Sequence, residues 1–305
     1  MAFSALLHSV SYAGLWGQTF LPLDQFIAKA ADLGYDGVML MAKRPHLSVL
    51  DYDEAACARL RALLDRRNLH SVCIAGYTNF TADLEHGEIP QREMQIQHVV
   101  ALGRLARDLG AKVVRVFTGY QHPAASYGTQ WKLAVESLRE CSRRVAEWGI
   151  TIGVQNHHDV AAGWESLHDL IHEIDEPNCK ALFDAWAPWL HGADLEAAAA
   201  ALAPHTVHTT IANYQLRPRY IYQPQIVNYQ AQTPATIAVP IEEGAIDYGA
   251  FLSAMAKGGF DGTVAYEMCS PLRDGAGIET LDRYARLFVQ FLRNWRESGR
   301  AAATP

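Results

Sequence analysis

Residues 150–184 have the sequence ITIGVQNHHDVAAGWESLHDLIHEIDEPNCKALFD, in which two short apolar runs flank a longer amphipathic segment. The runs at 151–155 and 179–184 have the length and the apolar content of buried strands. The segment at 162–174 places its apolar residues at helical spacing instead. Together these three pieces predict one parallel strand-helix-strand unit.

The same alternation continues along the whole chain. Eight strands are predicted at 5–8, 37–41, 70–75, 112–117, 151–155, 179–184, 206–210 and 263–267. Eight helices are predicted near 22–34, 53–68, 91–110, 129–148, 162–174, 194–202, 247–258 and 279–296. Glycine stands near the end of several of these helices, where the chain must turn toward the next strand. Eight units in regular succession favour an α/β fold with a single (β/α)8 TIM-barrel domain over residues 1–305.

A doubly wound open sheet is the alternative architecture for such a pattern. No predicted strand is followed by the Gly-x-Gly-x-x-Gly turn that many such sheets carry, so closure is favoured. The last helix supports a surrounding layer of helices, because Tyr284, Phe288, Phe291 and Trp295 recur at spacings of four, three and four residues. We expect this aromatic face to pack on the barrel.

Charge and composition exclude several function classes. The chain has 26 basic and 33 acidic residues, a net charge of −7, and it has no basic run, so nucleic acid is not an expected partner. No apolar stretch is long enough to cross a membrane, and the N-terminus lacks the basic region of a signal peptide. Five scattered cysteines without a Cys-x-x-Cys pair argue against a disulfide framework and for a cytoplasmic location.

Four polar residues lie at or near the ends of apolar strands in the second half of the chain. Gln155 and Asp184 end the fifth and sixth strands, His208 lies in the seventh, and Glu267 ends the eighth. TIM barrels carry their chemistry at this end of the strands. Oxygen and imidazole donors there predict a divalent metal ion, manganese first, with magnesium, cobalt or zinc as alternatives. The competing interpretation is that each residue only caps its strand.

With these residues the sequence resembles the xylose isomerase-like TIM-barrel superfamily, which includes ketose 3-epimerases, inosose dehydratases and endonuclease IV. The family pattern is Glu-x-His after strand five, Asp after strand six, His in strand seven and Glu after strand eight. Here Gln155-Asn156-His157, Asp184, His208 and Glu267 stand at these positions. The resemblance implies a metal site and, in the epimerases, two glutamates that exchange protons with opposite faces of the substrate.

Gln155 departs from that pattern, because an amide oxygen can bind a cation but the amide cannot act as a base. His157 is the predicted replacement, since imidazole titrates near neutral pH, and Glu267 is the second predicted catalytic group. His158 and His8 are further candidates that would face the substrate. Structural packing is the alternative reading of His8.

Several other residues are predicted to contact a sugar. Trp16 and Trp186 would form an apolar wall, and Arg273 would bind an anionic or hydroxyl group. Residues 211–246 form a long connection that is expected to act as a lid or as an interface between subunits. Residues 297–305 are expected to be a flexible tail.

The predicted function is a metal-dependent isomerase or epimerase that acts on a carbohydrate through an enediolate. The alternatives are a lyase or dehydratase that performs β-elimination on a keto-sugar or 3-oxo-glycoside, and a barrel without catalytic activity. An endonuclease is opposed by the charge of −7. We expect a homo-oligomer with a small carbohydrate as its substrate.

Overall fold

The computed structural model describes residues 3–302, in which eight parallel strands close into a barrel. The barrel strands are β1 (Ser4–His8), β2 (Gly37–Met41), β3 (Ser71–Ala75), β4 (Val113–Val116), β5 (Thr151–Gln155), β6 (Cys179–Asp184), β7 (Thr206–Ile211) and β10 (Thr263–Tyr266). Two further strands, β8 (Asn213–Gln223) and β9 (Asn228–Val239), form a separate sheet. The barrel order is β1-β10-β7-β6-β5-β4-β3-β2. The predicted TIM barrel is confirmed, and each of the eight predicted strands agrees with a barrel strand to within one residue at either end.

Helices surround the barrel. They are α1 (Leu23–Asp32), α2 (Glu54–Arg66), α3 (Gln91–Leu109), α4 (Tyr127–Val145), α5 (Trp164–Ile174), α6 (Trp186–Leu190), α7 (Leu195–Leu202), α8 (Tyr248–Lys257) and α9 (Ile278–Ala302). Local chemistry sets their ends. Asp53, Asp194 and Asp247 accept hydrogen bonds from backbone amides in the first turns of α2, α7 and α8. Gly110 ends α3 with φ of 75°, a conformation that glycine adopts without strain.

The aromatic face of α9 packs on the barrel as predicted. Phe288 and Tyr284 are fully buried, and the ring of Phe288 stacks on Tyr266 of β10 with centroids 4.7 Å apart. Trp295 stacks on Phe3 at 5.1 Å. The helix also continues to Ala302, so residues 297–302 are helical where a flexible tail was expected, and residues 303–305 of that segment lie outside the described residues.

The inward-facing side chains of the barrel form an apolar layer below a polar one. The buried apolar layer consists of Leu6, Met39, Cys73, Ala75, Leu182 and Ala265. The strand register places Asp184 level with Thr210, whereas His208 is level with Leu182. His208 therefore lies one layer deeper in the barrel than Asp184.

The long connection after β7 is a β-hairpin. Strands β8 and β9 pair antiparallel from Asn213 opposite Val239 to Gln223 opposite Asn228. Its outer half is exposed, with large apolar side chains in solvent: Leu216, Tyr220, Ile221, Tyr222, Ile226, Val227 and Tyr229. Residues 211–246 were predicted to be a long loop after the seventh strand, and the structure shows that most of this segment is a regular hairpin. No helix among residues 3–302 is both long and apolar enough to cross a membrane.

Candidate active site

A cavity of about 890 Å³ opens at the C-terminal ends of the barrel strands. This is the end at which TIM barrels carry their active sites. Eight of the ten predicted site residues line it: His8, Trp16, Gln155, His157, His158, Asp184, Trp186 and Glu267. His208 and Arg273, which also belong to the described part of the chain, do not line it.

Gln155 is held by charged groups on both sides of its amide. Its Oε1 accepts a hydrogen bond from Nη1 of Arg115 at 3.2 Å, and its Nε2 donates to Oδ2 of Asp184 at 2.8 Å and to Oγ1 of Thr210 at 3.1 Å. A guanidinium can only donate and a carboxylate can only accept, so these partners fix which way the amide points. Gln155 thus links a cation on β4 to an anion on β6.

Arg115 is the residue on which the electrostatics of the cavity depend. Its side chain projects into the barrel from β4 and is only 3% exposed, and its guanidinium lies 4.0 Å from the ring centre of Phe117 and 4.7 Å from that of Tyr77. Its Nε has no hydrogen-bond partner among the described residues. Because its partner Gln155 is neutral, the positive charge of Arg115 is not cancelled by that contact.

Glu267 follows β10 and lies near this cation and near Asp184. Burial, followed by the negative charge of Asp184, raises the pKa of Glu267 to about 7, and Arg115 opposes the shift. A carboxyl group with a pKa near neutrality can both give and take a proton under physiological conditions. Perturbed carboxyl groups of this kind are concentrated at functional sites.

His8 presents a hydrogen-bond donor toward Glu267. The Nδ1 of His8 accepts from the backbone amide of Val10 at 3.2 Å, so the neutral ring carries its proton on Nε2. That nitrogen is 3.8 Å from Oε2 of Glu267. Burial, then the positive charge of Arg115, lowers the pKa of His8 well below its ordinary value, which keeps the ring neutral.

His157 and His158 form a pair at the mouth of the cavity. The Nδ1 of His157 accepts from the backbone amide of His158 at 2.9 Å, and the two Nδ1 atoms are 2.7 Å apart. Nδ1 of His157 is therefore the acceptor in both contacts, and His158 donates its Nδ1 proton to it. The neutral His157 ring then carries a proton on Nε2 and presents a donor to the cavity. Burial lowers the pKa of His157. The negative charge of Asp184 opposes this shift and the positive charge of Arg115 adds to it, so the pKa lies below its ordinary value.

Three of the four predicted metal ligands line the cavity: Gln155, Asp184 and Glu267. The oxygen of Gln155 is engaged by Arg115, and His208 is completely buried below the cavity, where its Nδ1 contacts Oγ1 of Thr263 at 2.5 Å. Across residues 3–302 a single group of three His, Cys, Asp or Glu ligand atoms lies within 4.8 Å of one another, and it contains neither Asp184, His208 nor Glu267. In this structure the Arg115 guanidinium engages the oxygen of Gln155, whereas Asp184 and Glu267 line the cavity and Nε2 of His208 is buried without a hydrogen-bond partner among the described residues.

Of the remaining residues predicted to contact substrate, Trp16 and Trp186 line the cavity and Arg273 lies outside it. Trp186 stacks on Trp189 at 5.1 Å and contacts Tyr214, so it forms a rigid part of the cavity wall together with the more exposed Trp16. Arg273 instead pairs with Glu243 at 2.7 Å and with Asp274 at 3.1 Å outside the cavity.

Several residues of the site were not predicted from the sequence. Arg115 is the most important, and its signal was a single charged residue within the apolar run Val113-Val-Arg-Val-Phe117. Lys43 lines the cavity with its ammonium 4.1 Å from the ring centre of Tyr77. Asn156 binds both backbone groups of Asp184, at 2.7 and 2.8 Å, and so fixes the end of β6.

The chemistry available in the cavity follows from these groups. Arg115 offers a buried positive charge for an anionic oxygen, and Glu267 offers a proton carrier tuned to neutral pH. His8 and His157 offer neutral N–H donors. This combination suits the removal of a proton from carbon beside a carbonyl group.

Comparisons with known proteins agree with this fold. Fructoselysine 3-epimerase of Escherichia coli O157:H7 is 22% identical over 182 residues, which are 57% of this chain and 65% of that protein. The match therefore spans less than two thirds of the curated relative. The probable 3-DHS dehydratase AsbF of Bacillus anthracis is 19% identical with a TM-score of 0.71, over 95% of this chain and 99% of that chain.

D-psicose 3-epimerase of Clostridium cellulolyticum H10 has a TM-score of 0.73 at 15% identity, over 95% of this chain and 98% of that one. The similar proteins thus include sugar epimerases and a dehydratase. The family description "xylose isomerase-like TIM barrel" matches residues 27–294. This match covers most of the chain, and the protein belongs to the xylose isomerase-like TIM-barrel family.

Proposed function

We propose that this protein is an enzyme of the sugar isomerase and epimerase type, which moves a proton at the carbon beside the carbonyl group of a keto-sugar. The observation that carries this proposal is the buried Arg115 guanidinium, hydrogen-bonded to a neutral amide and near a carboxyl group whose pKa is about 7. The sugar epimerases among the similar proteins support the choice of substrate class.

Arg115 supplies the positive charge in this mechanism. When a proton leaves the carbon, its electron pair moves toward the carbonyl oxygen, which becomes an enediolate oxygen. A preorganised cation in a partly desolvated cavity stabilises that developing charge more than it stabilises the neutral carbonyl. Gln155 keeps the guanidinium in place without neutralising it.

Glu267 is the proton carrier. Its carboxylate takes the proton from the substrate carbon and, as a carboxylic acid, returns it to the neighbouring carbon or to the same carbon. The first outcome, with a hydroxyl proton passing from one enediolate oxygen to the other, is an isomerisation. An epimerisation needs a proton delivered to the opposite face, which Glu267 alone does not reach. Nε2 of His8 lies 3.8 Å from Oε2 of Glu267, so the neutral ring borders the proton carrier without a hydrogen bond to it.

The walls of the cavity suit a carbohydrate. Trp16 and Trp186 present aromatic surface on which the apolar face of a sugar can stack, while Lys43, His157 and Asn79 offer polar groups to hydroxyls. The cavity of about 890 Å³ is large enough for such a ligand. This wall also argues against a barrel that has no substrate.

Elimination is a second candidate, and the amide of Gln155 favours it. An epimerisation with two proton carriers needs a second titratable group, and an amide cannot fill that role. A dehydratase or lyase that works from Glu267 alone would take the same first step and then expel a hydroxyl or an aglycone from the adjacent carbon. The similarity to a probable dehydratase is consistent with this reaction.

A divalent ion held by Gln155, Asp184, His208 and Glu267 stays a prediction from the sequence, and manganese, magnesium, cobalt or zinc has no step in the mechanism above. The contact between Arg115 and Gln155 speaks against it, since the guanidinium engages the oxygen that the ion would need.

The proposal is tested with purified protein and a panel of keto-pentoses, keto-hexoses, inososes and 3-oxo-glycosides in deuterated water. Solvent deuterium at the carbon beside the carbonyl, with no other change of mass, supports isomerisation or epimerisation. Loss of water or of an aglycone supports elimination. Glu267→Gln is the negative control, and exchange that is equal in that variant would remove Glu267 from the mechanism.

A further inference from the structure

Three histidines meet at the end of the barrel opposite the cavity. His168 and His172 stand one turn apart near the C-terminal end of α5, and His205 directly precedes β7. One ring nitrogen of each lies within 4.8 Å of the others. Ring centroids are 4.2 Å apart for His168 and His172, and 4.7 Å apart for His172 and His205.

The rings are held in orientations that suit a metal ligand. Nδ1 of His172 donates to the carbonyl oxygen of His168 at 2.8 Å, so Nε2 is the nitrogen left with a free lone pair. Nδ1 of His168 is 3.5 Å from Oδ1 of Asp169, as in sites where a carboxylate orients a metal-bound histidine. His168 and His205 are half-buried, and His172 is exposed.

The surroundings of His205 favour the neutral ring that binds metals. Partial burial, then the neighbouring rings of His172 and His168, lowers the pKa of His205, and Lys180 contributes in the same direction. Among residues 3–302, the hydrogen-bond partners of the His168 and His172 rings are acceptors, the Asp169 carboxylate and the His168 carbonyl respectively. Imidazole nitrogens suit borderline transition metals such as zinc, nickel and copper, and do not suit magnesium or calcium.

We propose that His168, His172 and His205 form a binding site for one transition-metal ion, with zinc as the first candidate. The ion would join α5 to the connection between α7 and β7, and water would complete its coordination. This site is separate from the barrel mouth, where the same structure places a guanidinium among the oxygen donors.

The test uses the full chain without a polyhistidine tag, stripped of metal and titrated with Zn²⁺ in a calorimeter. The wild type should bind one equivalent of Zn²⁺. In His205→Ala and in His168→Ala this binding should be lost, or its affinity should fall at least about tenfold, since even the loss of a residue that only supports a metal ligand has an effect of that size. His86→Ala, at an exposed histidine elsewhere, should bind as the wild type does. Circular dichroism confirms that each variant is folded.

A second readout is the unfolding temperature, which should rise with Zn²⁺ in the wild type and in His86→Ala but not in His205→Ala, since a ligand that binds only the native state stabilises it. If zinc also binds at the barrel mouth, the wild type should bind two equivalents and His205→Ala should bind one. Binding that is unchanged in His205→Ala and His168→Ala, or no binding by the wild type, would overturn the proposal.

Discussion

Arg115 donates a hydrogen bond to Gln155 across the mouth of the barrel, with 3.2 Å between Nη1 and Oε1. The resemblance to the family leads one to expect a carboxylate at position 155, and under the proposed mechanism an amide serves there because of its contact with Arg115. A carboxylate would neutralise Arg115 in a buried ion pair, whereas an amide positions the guanidinium and leaves its charge for the substrate.

Removing that charge should slow turnover sharply. We expect Arg115→Met to lower the rate of deuterium exchange by about a hundredfold to a thousandfold, the usual effect of losing a group that stabilises an oxyanion. Arg115→Lys should retain part of the rate, since it keeps the charge. Arg104→Met, at an exposed arginine that stacks on Trp148, is the matched control and should keep the wild-type rate.

A glutamate at position 155, as in the family pattern, should not increase activity. We expect Gln155→Glu to pair with Arg115 and to lower exchange by at least about tenfold, since the charge stabilising the enediolate is then partly cancelled. Faster exchange in Gln155→Glu, together with tighter Mn²⁺ binding, would favour the metal site over the arginine site.

The proton affinity of Glu267 can be measured without a substrate. Difference infrared spectra of the wild type against Glu267→Gln should show a carboxyl group that titrates near pH 7. Asp184→Asn removes a neighbouring negative charge and should lower this midpoint by about one pH unit, whereas Arg115→Met should raise it by a similar amount. Shifts in the same direction in both variants would show that these charges do not act on Glu267 as described.

The sign of the pH dependence follows from the role of Glu267 as a base. The carboxylate form takes the proton, so exchange should be slow below pH 6 and should rise as pH passes through about 7. A profile that is flat between pH 5 and 8 would assign the proton transfer to another group.

His157 is expected to act as a donor, because its Nδ1 already accepts from His158. His157→Gln preserves a side-chain N–H and should keep more activity than His157→Leu, which removes all polar atoms. The sequence alone predicted a base at this position, and a base would lose about a hundredfold in both variants. The ratio of the two rates therefore separates the roles.

The hairpin formed by β8 and β9 is the expected site of self-association. Its exposed apolar side chains accompany Arg217 and Arg219 and no acidic residue, while the chain as a whole carries −7, so it suits a second copy of this protein. Replacing residues 217–235 by Asn-Gly should reduce the native mass to that of a single shortened chain, which is 17 residues smaller than the 33.7 kDa wild-type chain, measured by light scattering after size exclusion. An unchanged native mass would place the interface elsewhere.

The barrel was predictable because its strands are buried on both faces and therefore appear as short apolar runs between helices. The polar strand ends were found for a similar reason, since a polar residue stands out after an apolar run. The hairpin was missed because most of its outer residues are exposed on both faces, so neither face shows an apolar alternation. Exposed strands of this kind leave little pattern in the sequence.

The arrangement within the site was harder to predict. A register shift between Ala181 and Leu182 sets β7 so that Thr210 lies level with Asp184, and His208 falls one layer deeper. A sequence fixes which face a strand residue takes, but it does not fix the layer. The histidine cluster was missed because His205 meets His168 and His172 only when α5 packs beside the start of β7.

We propose that Arg115 supplies the positive charge in the cavity without a metal ion. The most direct test measures deuterium exchange into keto-sugars before and after exhaustive chelation, with metal content determined on the same samples. The His205→Ala background removes zinc bound on the surface. We predict that exchange survives metal removal at the wild-type rate and falls at least about a hundredfold in Arg115→Met. Exchange that is abolished by chelation and restored by Mn²⁺, with Arg115→Met as active as its parent, would show that a metal ion and not Arg115 supplies this charge.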